Sequence, residues 1–230
     1  MKILGIVGGI APESTIDYYR LIIRGYRERR PDGSYPRILI NSIDLTKLLD
    51  LIGAHDLGGA TDYLADAVAQ LARAGADVGL LASNTPHLVF EDVQRRSPIP
   101  LISIVEATCA ATEALGLTKV ALLGTGFTMR ARFYPEVFGR RGIEVIVPHP
   151  DEQAYIHERY MGELVHGVFR AETGEQILGI VQRLRDDEGA QAVILGGTEL
   201  PLLFRNGADP GVPLLDTTSI HADRAVGELL

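Results

Sequence analysis

"ILGIVGGIAPESTIDYYRLI", residues 3–22, runs from an apolar stretch through a glycine turn into an amphipathic segment that carries Ser, Thr and Tyr. "VALLGTGFTMRARFYPEVF", residues 120–138, follows the same plan. Each reads as a strand, a glycine turn and a helix. A second pair repeats the relationship: "LASNTPHLVF" (81–90) and "VILGGTELPLLF" (193–204) each leave an apolar strand through a polar turn into a helix start. Gly8 to Ser83 and Gly124 to Gly197 are nearly the same distance apart, so the halves read as diverged copies of one unit.

Outward from these stretches, short β-rich apolar runs alternate with helical patterns: 2–8, 37–43, 78–83, 100–105, 119–124, 143–148, 192–197 and 212–217. Strands separated by helix-length segments make βαβ units and parallel sheet. The fold class is therefore α/β, with a first domain of residues 1–100 plus 212–230 and a second of 101–211. Within "GGATDYLADAVAQLARAGA" (58–76), Leu64, Ala67, Val68, Leu71 and Ala74 share one helix face, and Gly75 is placed to end the helix in the left-handed conformation. Sheets of this kind bind ligands at the carboxyl ends of their strands. The glycine loops at Gly8-Gly9 and Gly124-Thr125 and the turns at 83–85 and 197–199 all fall there, and one ligand between the four loops is the expectation.

The 230 residues and 46% hydrophobic content support a large buried core. A net charge of −8 with scattered basic residues, "RERR" at 27–30 apart, argues against nucleic acid as a partner. Apolar runs are strand-length and the amino terminus lacks a signal-peptide core, so neither membrane insertion nor export is expected and the location reads as cytoplasmic. The single cysteine, Cys109, excludes an internal disulfide and reads as a buried helix residue.

The two polar turns suit a small anion. Thr85 is placed to cap a helix with Pro86 at its first position, and Thr198 precedes "ELPLLF" similarly, so backbone amides and a helix dipole would favour a carboxylate. Ordinary capped βα turns would have the same sequence. "GIVGGIAPEST" fits neither the dinucleotide fingerprint nor the P-loop, because its spacing differs and no Lys follows the glycines. "HERYM" from His157 starts like a zincin helix but has Met161 where the second His belongs, and no metal site is expected.

"GIVGGIAPEST", "SNTPH", "SIVEAT", "LGGTELPLL" and "PLLDTTSIHADRAV" together resemble the aspartate/glutamate racemase family over nearly the whole chain. The resemblance implies two pseudo-symmetric α/β domains with parallel sheets, an active-site cleft, no pyridoxal phosphate or other cofactor, no metal, frequent homodimers, and small acidic amino acids as substrates. It implies two catalytic cysteines, one for each face of the α-carbon. This chain has Ser83 and Gly197 at those positions. A serine hydroxyl is far less acidic than a thiol and glycine has no side chain, so two-thiol racemisation is not expected. By the same resemblance Gly9, Asn84, Thr85, Gly124, Thr125 and Thr198 contact the substrate, Lys47 serves its distal carboxylate, and His166 stands where the family has a Lys.

A replacement acid–base group would come from His87, Glu13, Glu199 or His157, ranked in that order. An isomerase-like enzyme on a small carboxylate is the leading reading. One-base lyase or decarboxylase chemistry and a non-catalytic amino-acid-binding protein are the alternatives.

Overall fold

The computed structural model describes residues 2–204 and 209–230. Its strands are β1 (Ile3–Gly8), β2 (Arg37–Ser42), β3 (Val78–Leu81), β4 (Leu101–Ile102), β5 (Lys119–Gly124), β6 (Glu144–Ile146), β7 (Val193–Gly196) and β8 (Leu214–Asp216). They form two four-stranded parallel sheets, ordered β2-β1-β3-β4 and β6-β5-β7-β8. The two orders are the same pattern, as the internal sequence echo requires. The chain divides into two compact units, residues 1–107 with 218–230 and residues 108–217, and both boundaries fall inside helices.

In the first unit the inner strands are apolar on both faces, because helices cover both. Leu4, Ile6, Val78 and Leu80 pack with Tyr18, Ile22 and Tyr26 from helix 12–29 and with Ala222, Val226 and Leu229 from the C-terminal helix. Helix 57–73 buries Leu64, Ala67, Val68 and Leu71 as its periodicity predicts. Ala74 departs from that expectation: it is the exposed C-cap, since Gly75 at φ +100° already turns the chain away. In the second unit Ala121, Leu123, Val193 and Leu195 pack with Ile156, Tyr160, Ile177, Val181 and Leu184. Cys109 is buried in helix 104–114.

In each sheet the strand order reverses between the two inner strands, β1 and β3 in one and β5 and β7 in the other. Helices leave to opposite sides at such a point, and a crevice opens at the carboxyl ends.

Candidate functional site

At the first reversal, Gly8 and Gly9 end β1. Gly9 has φ +83°, and a Cβ on it would lie 2.3 Å from the Ile43 carbonyl oxygen, so only glycine fits. Its amide donates to Thr15 Oγ1 at 2.8 Å, which ties the loop to helix 12–29. The neighbouring turn, Ser83-Asn84-Thr85, is buried although polar. Polar groups gathered at the carboxyl end of a parallel strand lie where sheets of this kind bind ligands.

The turn does not lead into a capped α-helix. Thr85–Val89 is a 3₁₀ turn without a side-chain cap, followed by a short helix at Phe90–Arg96. The expected α-helix capped by Thr85 is therefore missing, and His87 holds the turn instead. Its Nδ1 donates to the Ser83 carbonyl at 3.1 Å and its Nε2 accepts from the Ile104 amide at 3.2 Å. The ring braces the turn against the start of helix 104–114 and stacks on Phe90 at 4.7 Å. Burial, then the nearby His221 charge, pushes its pKa down to about 3. His221 is held similarly: Nε2 donates to the Ile102 carbonyl at 2.9 Å and Nδ1 accepts from Tyr18 Oη at 2.8 Å, and burial pushes its pKa down to about 4. Both rings are neutral braces.

At the second reversal, Gly124 and Gly196 are in close backbone contact, for a Cβ on Gly124 would lie 2.6 Å from the Gly196 carbonyl oxygen. Thr125 caps the following turn, its Oγ1 accepting from the Thr128 amide at 3.2 Å. His157 Nδ1 accepts from the Gly126 amide at 3.1 Å, and burial followed by the Arg130 charge lowers its pKa. The turn after β7 is also buried and polar: Thr198 and Glu199 are almost wholly enclosed. Helix 200–203 is only four residues long with Glu199 at its cap position, so Thr198 does not cap it. Its hydroxyl donates to Glu199 Oε2 at 2.9 Å instead.

Sequence reasoning missed Tyr160. It lies on helix 150–162, its hydroxyl donates to Glu199 Oε2, and a Cβ on Gly197 would fall 2.4 Å from its Cε2. The ring fills the volume that a side chain at 197 would need. Burial, then the Glu199 charge, holds the phenol well above the ordinary tyrosine range. In sequence its only signal is a Tyr on the buried face of a helix.

The remaining candidates are at the surface. Glu13 is exposed in the first turn of helix 12–29, and His166 is exposed on the 3₁₀ turn 164–166. Lys47 is exposed too, with Nζ 4.4 Å above the Tyr63 ring. That cation–π contact gives it a surface partner of its own.

Two buried polar strand-end turns, repeated at corresponding reversals, are thus in place. The family profile described as Asp/Glu/Hydantoin racemase matches residues 7–225. The chain belongs to that family.

A curated relative, the broad specificity amino-acid racemase RacX of Bacillus subtilis (strain 168), is 24% identical, over 99% of this chain and 98% of its own. The crystal structure of an aspartate racemase homologue from Pyrococcus horikoshii OT3 is 38% identical with a TM-score of 0.83, covering 100% of this chain and 99% of that one. A Yersinia pestis structure, provisionally assigned as an Asp/Glu racemase, is 33% identical with a TM-score of 0.90 and covers 100% and 99%. The α/β architecture of this chain matches that of both solved structures along its length. Among the described residues, no helix is long and apolar enough to cross a membrane.

Proposed function

We propose that the chain binds a small acidic amino acid or related carboxylate through its strand-end turns and acts at the α-carbon without a cofactor. Ordinary two-cysteine racemisation is absent from this reading. The observation that carries it is the burial of Ser83, Asn84 and Thr85 after β3, and of Thr198 and Glu199 after β7, each beside a glycine turn at the strand-order reversal. Backbone amides and hydroxyls so placed suit a carboxylate, and the described activity of the Bacillus subtilis relative is racemisation of amino acids. We assign His87 to bracing, since both of its ring nitrogens are engaged by backbone. Gly9, Asn84, Thr85, Gly124, Thr125 and Thr198 are the proposed binding residues, with Lys47 and His166 as outer contacts to the distal carboxylate. The same reading takes the protein to be a cytoplasmic homodimer.

The absence of a thiol at 83 and at 197 favours one-base chemistry over inversion. Titration calorimetry with L- and D-aspartate and glutamate, against alanine as the control, tests the reading. Saturable binding of an acidic amino acid in preference to alanine supports it. No heat with any of the four acids overturns it.

A further inference from the structure

The bare Cα of Gly197 is filled from another element. Tyr160 and Glu199 are 5% and 2% exposed, and the phenol ring lies against the glycine. Glu199 Oε2 accepts from both the Tyr160 hydroxyl and Thr198 Oγ1, the latter at 2.9 Å, while the Glu199 amide approaches the phenol oxygen at 3.5 Å. A Cβ on Gly197 would fall 2.8 Å from that oxygen. The hydroxyl therefore stands at the root of the side chain that residue 197 lacks.

We propose that Tyr160 and Glu199 form a proton-transfer pair, supplying from helix 150–162 the acid–base group that Gly197 cannot, so that the chain exchanges the α-proton of an acidic amino acid from one face only. The inference rests on the reading above, in which turn 197–199 attends the α-carbon. In the step, the α-proton moves to the phenol oxygen while the phenol proton moves to Glu199 Oε2. The C–H electron pair stays on the α-carbon, delocalised into the adjacent carboxyl group. The phenol hydron then exchanges with solvent, and the reverse step returns a hydron to the same face, which in D₂O is deuterium. The phenol holds its proton far above neutral pH, so it passes a proton through to the carboxylate and does not persist as a phenolate.

The test is incubation with L- and D-aspartate in D₂O, followed by NMR for α-deuterium and chiral analysis for configuration. Calorimetry on the same samples reads binding. The expected result is deuterium incorporation with retained configuration. Tyr160→Phe and Glu199→Gln should each slow it by about 100-fold or more, the usual scale of a general acid–base group, while aspartate affinity changes less than about threefold. Incorporation with inversion, wild-type exchange rates in either variant, or binding without any exchange would each overturn the pair. Absence of binding of L- and D-aspartate and glutamate alike in the wild type would instead remove the proposed function, and the pair with it. Thermal melts establish that each variant is folded. Glu199→Gln keeps the side-chain volume and carries the test alone should Tyr160→Phe unfold, while retention in the wild type is read independently of both.

Discussion

Tyr160 occupies the place of a residue-197 side chain: its Cε2 lies 2.4 Å from where a Cβ on Gly197 would be built. A side chain at 197 and the Tyr160 ring in this position therefore exclude each other. Gly197→Cys alone overpacks a buried contact and should cost about 1–3 kcal/mol of stability, read by urea denaturation. The double change Ser83→Cys with Gly197→Cys should not restore inversion of aspartate. Adding Tyr160→Ala opens the volume and should restore some of it. Inversion by the double variant with Tyr160 intact would show that the ring moves aside freely.

The buried histidines set an acid limit to stability. His87 and His221 have pKa values of about 3 and 4 in the fold, against about 6.5 in an unfolded chain. Between those values the unfolded state binds the extra protons, so stability is full above pH 6.5 and falls as pH drops below it. Each histidine contributes a slope of about 1.4 kcal/mol per pH unit. Urea midpoints compared at pH 7 and pH 5 should show the loss, and His87→Gln should remove one proton's share of the slope. A flat profile over that range would mean that the rings are not buried neutral.

At the end of β1, Gly9→Ala meets two obstacles: a backbone at φ +83° and the Ile43 carbonyl oxygen 2.3 Å from the new Cβ. The first alone costs roughly 1–2 kcal/mol. The second is backbone, which does not swing away like a side chain. A total loss above about 2 kcal/mol is expected from denaturation, with ligand affinity falling in parallel because the loop would shift. Near-wild-type stability would show the loop to be plastic.

All eight strands were legible because the inner ones, covered on both faces, are continuous apolar runs, and because glycine turns mark strand ends; the repetition of the halves was legible too, but not the strand order within each sheet. Gly75 was legible for a related reason: only the left-handed conformation after an amphipathic face calls for glycine there. The turns were legible as polar, but not in conformation. Thr85 and Thr198 have cap-like sequences, yet His87 bonds the Ser83 carbonyl and Glu199 takes up the Thr198 hydroxyl, both through side chains whose direction a local pattern does not fix. Tyr160 was hidden because its partner is a glycine 37 residues on, and a missing side chain leaves no motif for its filler. The neutral state of His87 depends on burial and then on His221, which is distant in sequence.

Asn84 and Thr85 are proposed to meet the substrate carboxylate. Replacing either with Ala should weaken acidic amino-acid binding by about 1–3 kcal/mol, the cost of losing a hydrogen bond to a charged group. Calorimetry reads the change directly, and a melt of each variant separates it from loss of fold. Unchanged affinity in both would remove this turn from the site.

Inversion needs an acid–base group on each face of the α-carbon, and at the two positions where the family resemblance implies cysteines this chain has an alcohol, Ser83, and no side chain, Gly197. Each missing group is worth about 10²–10⁴-fold, so the protein should racemise aspartate or glutamate several orders of magnitude more slowly than a two-cysteine enzyme. A Tyr160–Glu199 relay would not repair this, since it delivers the hydron to the face from which it came. Polarimetry over a long incubation, set beside deuterium incorporation, separates the two events. Incorporation that outruns inversion by at least about 100-fold is the expected signature, because only one face is served. Equal rates would mean that a second group acts opposite Tyr160, and Ser83, buried at the end of β3, would then be the first residue to replace.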